Sequence, residues 1–177
     1  MYTVNVGRII AQLLIQEIDK KRRLTLNMWQ FKHFQELSAM DYHEILTERT
    51  KIFVVEQGCA YQEVDDIDLK SIHLVKKQKN SIKAYARIYK DGHTIKIGRI
   101  LVPVEFRNEG HGKELLKVAL DYVKCHHPNS NISIQAEAYL KDFYEKFGFE
   151  ITSEFYYDYD IGHYDMLLKQ SEPALQR

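Results

Sequence analysis

Apolar and polar residues alternate with a period of two over several stretches of the chain, which predicts β-strands. These stretches cover residues 29–34, 71–78, 81–90 and 93–102. A turn at Lys79 and Asn80 separates the second stretch from the third, and the hairpin pair Asp91-Gly92 separates the third from the fourth. The last three stretches therefore predict an antiparallel meander.

Other stretches carry apolar residues at helical spacing, three or four positions apart. They cover residues 4–18, 42–55, 110–126 and 139–147. Ser38 is the predicted N-cap of the second of these helices, with Asp41 at the capping-box position. Gly148 follows the last helix and is predicted to end it. The chain is therefore expected to interleave helices with strands.

The order of these elements predicts the fold class. A strand at residues 132–136 lies between two predicted helices, and a strand, a helix and a second strand in succession require a parallel crossover. Two further strands are predicted near residues 151–157 and 163–168. We expect an α/β (α+β mixed) fold: a mixed, largely antiparallel sheet of six or seven strands with helices on both faces. The predicted organisation is a helical N-terminal extension over 1–27, a single domain over 28–170 and a tail over 171–177.

The charges of the chain balance, with 25 lysines and arginines against 25 aspartates and glutamates. Because there is no net field, neither nucleic acid nor a membrane surface is an expected partner, and any polyanion must be bound locally. Cys59 and Cys125 lack metal-ligand spacing, and no apolar run is long enough to cross a membrane. We therefore expect a cytoplasmic protein with reduced thiols and no metal site.

The segment 58–69 is acidic and irregular, with Asp65, Asp66 and Asp68 close together. It lacks the glycine and the terminal glutamate of an EF-hand loop. Its carboxylates suit either a cationic ligand or a solvated face, and the sequence leaves both interpretations open.

Candidate chemistry begins at Arg107 to Gly112 (RNEGHG), between a strand that ends at Val102 and a helix. A strand that turns through two glycines into a helix leaves backbone N–H groups free at the positive end of the helix dipole, which favours a phosphate. The turn is not a P-loop, because Lys113 is followed by Glu114 and the loop is too short. A Rossmann G-x-G-x-x-G is also missing.

Two signals together are more specific: V-x-P-x-x-R-x-x-G-x-G-K over 102–113 and FYEKFGF over 143–149. With these motifs the sequence resembles the GNAT superfamily of acyl-CoA-dependent N-acyltransferases, and its ElaA-like branch in particular. The resemblance covers roughly residues 29–169. It extends to the segments FVVEQGCAYQEVDDID, AYARI, IGRILV and DIGHYDM.

The resemblance implies acetyl-CoA as the co-substrate, held mainly by main-chain groups. The fourth strand is expected to pair with the pantetheine arm and the glycine turn to hold the pyrophosphate. The implied residues are Ile100, Leu101 and Val102 in the strand, and Arg107, Asn108, Glu109, Gly110, His111, Gly112 and Lys113 in the turn. Alanine or a larger residue at Gly112 is expected to block the cofactor. Arg107 is expected either to contact phosphate or only to position the turn.

Tyr144 is the residue that the resemblance places near the thioester sulfur. An ordinary tyrosine pKa near 10 against about 8.5 for a thiol makes full proton transfer uphill by roughly 2 kcal/mol. Hydrogen-bond donation to the departing thiolate is therefore the expected role. The alternative is that Tyr144 is only a core aromatic.

The acceptor is expected to be a primary amine, either a small molecule or a peptide. An alkylamine of pKa near 10.4 is neutral about once in 2,500 at pH 7, so making it nucleophilic costs roughly 4.6 kcal/mol without a base. The candidates for that base are Glu56, His73, Glu137 and His163. Glu137 stands where ElaA-like chains have glutamine, which also puts a carried-over cofactor contact there in doubt. His163 matches a family G-I-P-H segment whose proline is replaced here by Gly162.

Two other functions are compatible with the residues. A CoA-binding regulatory domain would keep the glycine turn but lack acceptor chemistry. An interaction module would use the acidic segment and an aromatic patch, which is expected to face substrate or a partner subunit in a homodimer. The patch comprises Phe155, Tyr156, Tyr157 and Tyr159. Retention of Tyr144 favours the enzyme, and transfer is expected in a ternary complex because neither cysteine is placed as a nucleophile.

Overall fold

The computed structural model describes residues 28–79 and 81–170. The predicted N-terminal helix and the C-terminal tail therefore lie outside the described residues. The strands are β1 Trp29–His33, β2 Ile72–Gln78, β3 Ser81–Asp91, β4 Thr94–Leu101, β5 Ile132–Glu137, β6 Glu150–Ile151, β7 Tyr156–Asp158 and β8 Ile161–Leu168. The helices are α1 Ala39–Arg49, α2 Ile67–Lys70, α3 His111–His126 and α4 Lys141–Glu145. A π-helical segment, Thr50–Glu56, continues α1.

The strands form one eight-stranded sheet in the order β1-β2-β3-β4-β5-β8-β6, with β7 paired to β8. The meander from β2 to β4 is antiparallel and β4 runs parallel to β5, so the predicted mixed sheet is confirmed. The described sheet exceeds the predicted strand count because residues 150–168 form three strands, β6, β7 and β8, where two were expected. The last helix is also shorter than predicted, because residues 138–140 form a 3-10 turn before α4.

Local capping follows the sequence prediction. The Ser38 hydroxyl accepts a hydrogen bond from the Asp41 N–H at 3.0 Å, and the Asp41 carboxylate accepts one from the Ser38 N–H at 3.2 Å. This capping box satisfies donors at the start of α1 that would otherwise lack partners. At the other end of the domain, Gly148 adopts a positive φ of 89° after α4, as a C-terminal stop requires.

Apolar side chains are buried on both faces of the sheet. On one face, α3 contributes Leu115, Leu116, Ala119 and Val123 to the larger core cluster. On the other face, Ile45 and Ile52 from α1 and its π-helical continuation pack against Tyr85 and Leu101. Helices therefore cover both faces, as the sequence predicts. Within 28–79 and 81–170, no helix is long and apolar enough to cross a membrane.

Strand β4 separates from β5 partway along its length. The two strands pair only at Ile95 with Ile132 and at Lys96 with Ser133. Beyond this point β4 has a bulge, because its register against β3 shifts and Arg99 adopts a left-handed φ of 52°. The bulge increases the local twist and bends β4 away, so a gap opens in the middle of the sheet.

Candidate active site

A cleft of about 490 Å³ occupies the gap between β4 and β5. Its lining includes Gly98, Arg99 and Ile100 of β4, Gln135 and Glu137 of β5, Tyr144 of α4 and His163 of β8. The chain just after the π-helical segment contributes Gln57, Cys59 and Tyr61, and the β7–β8 hairpin contributes Asp158, Tyr159 and Ile161. The cleft therefore brings together residues that lie far apart in the sequence.

The strand predicted to hold pantetheine borders this cleft. Ile100 lines it directly, whereas the Leu101 side chain is buried against Tyr85 on the other face. Val102 packs against the core beneath α3. Because β4 and β5 no longer pair beyond Lys96, the β4 main chain on this side is left for a partner other than β5.

The predicted pyrophosphate turn leads directly into α3. Asn108 and Gly110 adopt positive φ values of 65° and 82°, which turns the chain sharply before the helix begins at His111. The first intrahelical bond runs from the Glu114 N–H to the Gly110 carbonyl at 3.1 Å. The three preceding N–H groups, at 111–113, therefore stand at the positive end of a 16-residue helix. Of the predicted side chains here, those of Asn108, Glu109 and Lys113 are exposed.

Arg107 is held by contacts at both ends of its guanidinium. Its Nε donates to the Val102 carbonyl at 3.1 Å, and its two terminal nitrogens donate to the Glu56 carboxylate at 2.7 and 2.9 Å. These hydrogen bonds and the charge of Glu56 raise the pKa of Arg107. The structure therefore joins two predicted site residues, Arg107 and Glu56, in an exposed ion pair, and neither residue lines the cleft.

His111 is tied to charged neighbours. Its Nδ1 accepts a hydrogen bond from the Lys76 ammonium at 3.2 Å, and its Nε2 lies 3.2 Å from the Glu109 carboxylate. Lys76 also pairs with Glu114, which accepts a further bond from the Trp29 indole at 2.9 Å. These contacts fix the first turn of α3 against β1 and β2 and keep its N–H groups in place.

Tyr144 lies at the base of the cleft and is only 4% exposed. Its ring packs edge-on against Phe143 and Phe149, with centroid distances of 5.1 and 6.0 Å. Burial, and secondly the charge of Glu137, raise the pKa of Tyr144 above its ordinary value. The hydroxyl is therefore neutral at physiological pH and remains a hydrogen-bond donor. Tyr144 is thus both a core aromatic and a cleft residue, so burial alone does not separate the two roles.

Glu137 lies at the end of β5 beside Tyr144. Its carboxylate accepts a hydrogen bond from the side-chain amide of Gln57. Burial and a hydrogen bond to Glu137 also raise the pKa of the Tyr139 hydroxyl. Among the described residues no lysine or arginine forms an ion pair with Glu137, although the charge of Glu137 contributes to the raised pKa of Arg107.

His163 lies directly opposite Glu137 in the β5–β8 ladder. Its Nδ1 is 2.8 Å from the Ile161 carbonyl, and its ring stacks on Tyr156 with a centroid distance of 5.9 Å. Both Glu137 and His163 line the cleft.

His73 lies elsewhere. It is fully buried, with Nδ1 2.9 Å from the Tyr85 hydroxyl and Nε2 3.0 Å from the Asp68 carbonyl. Burial lowers the pKa of His73, which makes the ring neutral. Because both ring nitrogens are engaged and the residue is not part of the cleft lining, we do not include His73 in the proposed site.

The acidic segment forms a buried ionic network rather than a solvated face. Asp68 receives hydrogen bonds from Arg49 at 2.7 Å and Arg87 at 2.8 Å. Glu63 pairs with Arg49 and Arg99, and Asp65 pairs with Arg87. In the part of the chain that is described, no metal-binding group of His, Cys, Asp and Glu side chains is formed. The cations that pair with these carboxylates are therefore three arginine side chains of the same chain.

Sequence reasoning missed two residues that line the cleft, Gln57 and Arg99, and also Tyr139, which hydrogen-bonds to Glu137. Gln57 and Arg99 both lie in segments that resemble ElaA-like chains, FVVEQGCAYQEVDDID and IGRILV, whereas Tyr139 lies in a segment that predicts only a helix. The sequence offers one indication of these residues, namely that each is next to an element predicted to border the site.

Comparison with known proteins agrees with this architecture. A family model described as "Acetyltransferase (GNAT) domain" matches residues 36–170. Protein ElaA from Escherichia coli is 36% identical over 143 residues, which cover 78% of this chain and 94% of ElaA. The crystal structure of Escherichia coli ElaA has a TM-score of 0.75 and covers 78% of this chain and 97% of its own.

A second solved structure is an acyl-CoA N-acyltransferase from Pseudomonas aeruginosa. It is 32% identical, has a TM-score of 0.76, and covers 78% of this chain and 97% of its own. The family model extends over β2 to β8, the glycine turn and the cleft described above. The chain therefore belongs to the GNAT acetyltransferase family, and it is an ElaA-like member with the fold of an acyl-CoA N-acyltransferase.

Proposed function

We propose that the protein transfers an acetyl group from acetyl-CoA to a primary amine, and that the amine attacks the thioester directly in a ternary complex. The observation that carries this proposal is the gap between β4 and β5, together with the turn that leads from β4 to the N-terminus of α3 and the buried Tyr144 that lines the cleft. This arrangement suits acetyl-CoA, a thioester whose carrier is extended and bears phosphate groups.

The donor is bound mainly by backbone groups in this proposal. Pantetheine amides would pair with the β4 main chain at Ile100 to Val102, which β5 leaves unpaired on the cleft side. The pyrophosphate would accept hydrogen bonds from the N–H groups at 111–113, where the helix dipole favours negative charge. The description of the Pseudomonas relative as an acyl-CoA N-acyltransferase supports the same donor class.

Tyr144 is proposed to stabilise the departing thiolate. Because burial raises its pKa, proton transfer to sulfur is less favourable than for an ordinary tyrosine, and donation of a hydrogen bond is favoured. A buried donor of this kind acts on charge that develops in the transition state.

Direct attack is supported by the environment of Cys59. Its Sγ lies in the cleft, 3.6 Å from the carbonyls of Gln57 and Tyr159. Burial, followed by the charge of Asp158, raises the pKa of this thiol. Since the thiolate is the nucleophilic form, a raised pKa disfavours an acyl-cysteine intermediate.

The test is to incubate purified protein with acetyl-CoA and a panel of amines, and to follow thiol release. The panel contains a diamine, an amino acid, an aminoglycoside and a peptide with a free N-terminus. We expect release above hydrolysis with at least one amine, none with Gly112→Trp, and initial-rate lines that intersect when both substrates are varied. If CoA binds but no amine releases thiol, the protein is a CoA-binding regulatory domain instead. Parallel lines would point to a covalent intermediate.

A further inference from the structure

The antiparallel register of β5 and β8 places Glu137 directly opposite His163. Directly opposed residues project from the same face of a sheet, with Cβ atoms about 5 Å apart. The neighbouring positions on the other face, Ala136 and Tyr164, form the next opposed pair and contact the core. Glu137 and His163 therefore share the face that lines the cleft.

The hydrogen bond of His163 determines which ring nitrogen is free. A carbonyl oxygen only accepts, so the Nδ1 that lies 2.8 Å from the Ile161 carbonyl must carry the proton. In the neutral ring Nε2 then has the lone pair. The Tyr156 ring, stacked at 5.9 Å, holds the imidazole plane in one orientation. His163 thus presents a proton acceptor to the cleft in a fixed position.

The other candidates are less available. Glu56 is occupied by a bidentate bond from Arg107, and His73 has both ring nitrogens engaged away from the cleft. Glu137 accepts hydrogen bonds from the Gln57 amide and the Tyr139 hydroxyl, and no lysine or arginine of the described residues forms an ion pair with it, so its carboxylate can attract an ammonium group.

We propose that His163 is the general base that takes the proton from the acceptor amine, and that Glu137 binds the amine in its ammonium form and positions it beside His163. This inference rests on the proposed acetyl transfer and deepens it. Histidine is the most frequent general base in enzymes, and a positioned base contributes about 10²–10⁴ in rate.

The ammonium group loses one proton to Nε2 of His163, and the nitrogen lone pair forms the new C–N bond as the C–S bond breaks, with its electron pair leaving on sulfur. Tyr144 donates a hydrogen bond to that sulfur. The second nitrogen proton passes through solvent to the thiolate, and the imidazolium later returns its proton to bulk water. The products are the amide, free CoA thiol and one proton.

Charged and titratable groups face His163 from the neighbouring strands. They are Glu137 on β5, and Tyr156 and Asp158 on β7.

The first experiment compares wild type with His163→Asn, using the amine from the panel that wild type turns over fastest. We expect kcat/KM for the amine to fall about 10²-fold at pH 7 and the loss to shrink towards pH 10, where the amine is increasingly neutral without a base. His93→Asn, in the exposed turn before β4, is the matched control and should leave the rate unchanged.

A second test uses a fluorinated analogue of the same amine that is neutral at pH 7. This analogue should restore the rate of His163→Asn but not that of Tyr144→Phe. Retention of kcat/KM within about threefold, with an unaltered pH profile, would overturn the assignment.

Glu137→Gln separates amine binding from cofactor binding. We expect the KM for the amine to rise about tenfold while the KM for acetyl-CoA is unchanged. A rise confined to the KM for acetyl-CoA would instead make Glu137 a cofactor contact and remove it from this proposal.

A measurement without turnover keeps this inference separate from the proposed function. The ¹⁵N chemical shifts of the His163 ring in the wild-type protein should report the Nδ1–H tautomer. An Nε2–H tautomer would overturn the base role even in an active enzyme. Lack of thiol release by wild type with every amine would count against acetyl transfer itself, and the mechanism of proton removal would fall with it. Should His163→Asn fail to fold, His163→Gln and the tautomer measurement decide the question.

Discussion

The Arg107 guanidinium donates two hydrogen bonds to the Glu56 carboxylate, 51 residues earlier in the chain, at 2.7 and 2.9 Å. The pair joins the turn before α3 to the end of the π-helical segment. Since the remaining guanidinium nitrogen, Nε, donates to the Val102 carbonyl, every nitrogen of Arg107 has a partner in the protein. The pair therefore favours the role in which Arg107 positions the turn over the one in which it contacts phosphate.

This relationship predicts the effect of a double-mutant cycle on CoA binding. Arg107→Ala should weaken CoA binding about tenfold, and Glu56→Gln should weaken it less but in the same direction, because it removes the group that orients Arg107. The double variant should bind no worse than Arg107→Ala alone. Calorimetric titration with CoA measures all four proteins. If Glu56→Gln binds CoA more tightly than wild type, the released guanidinium reaches phosphate and the positioning role is wrong.

Each side chain of the Arg107–Glu56 pair is 39% exposed, so the pair should contribute at most about 1 kcal/mol to the free energy of unfolding.

Tyr144→Phe should lower turnover about 10²-fold or more, with little change in the KM for acetyl-CoA. The variant keeps the ring packing of a residue that is 4% exposed and removes only the hydroxyl. Because the pKa of Tyr144 is raised above its ordinary value of 10.0, the hydroxyl stays protonated through pH 10. Wild-type turnover should therefore show no alkaline loss from this group below pH 10. Stopped thiol-release assays across pH measure both effects. Full turnover by the phenylalanine variant would reduce Tyr144 to a core residue.

Gly110 and Gly112 should respond differently to alanine. Gly110 has a φ of 82°, which costs a side chain about 1–2 kcal/mol, so Gly110→Ala should lower the free energy of unfolding by about that amount. A Cβ at Gly112 would meet only the Val102 Cγ2 at 3.8 Å, an ordinary contact, so Gly112→Ala should fold like wild type. Weaker CoA binding by Gly112→Ala would then show that the ligand lies close to the backbone at this position, where the added methyl group blocks it. Urea unfolding and CoA titration of the two variants provide the comparison, and unimpaired CoA binding by Gly112→Ala would contradict the expected block.

The buried ionic network predicts acid sensitivity. Burial opposes the ionisation of Asp68, but its bonds to Arg49 and Arg87 outweigh burial and lower its pKa below 3.8. The stabilisation is therefore present above about pH 4 and is lost as the pH falls below that value. Asp68→Asn should lower the free energy of unfolding at pH 7 by about 3–5 kcal/mol, because two buried arginines lose their shared partner. Asp65→Asn, at a site 31% exposed, should cost less. Urea titrations between pH 7 and pH 3 give both quantities, and equal costs for the two variants would show that burial of Asp68 is not the cause.

Local patterns were sufficient to predict most of the fold. The meander, the Ser38 capping box and the glycine stop at Gly148 each depend on residues within a short window, the parallel crossover depends on the order of the predicted elements, and each is confirmed. The bulge in β4 was not predicted, because the residue at the left-handed position is Arg99 rather than a glycine.

The acceptor side of the cleft depends on contacts that no local pattern reports. Gln57 and Glu137 are 80 residues apart, and the pairing of Glu137 with His163 follows from the register of β8, whose start was placed only approximately. Arg49 lies at an apolar position of the helical pattern of α1, and its hydrogen bond to the Asp68 carboxylate is what permits its burial. A charged side chain is rarely buried unless a group of opposite charge pairs with it. The local sequence does not identify that group, because it comes from elsewhere in the chain.

Gly162 lies against the Phe155 ring. A Cβ added at Gly162 would lie 2.5 Å from two atoms of the Phe155 ring, so the ring occupies the space that a side chain would need. Phe155 is held there by edge-on contacts with Tyr157 and Tyr164. Gly162→Ala should therefore lower the free energy of unfolding by about 1–3 kcal/mol through overpacking. In a Phe155→Ala background the same change should cost less than half as much, since the space is then free. Urea unfolding of the four proteins yields the coupling energy, expected to be at least about 0.5 kcal/mol. A coupling near zero would mean that the ring moves aside without cost and does not exclude a side chain at Gly162.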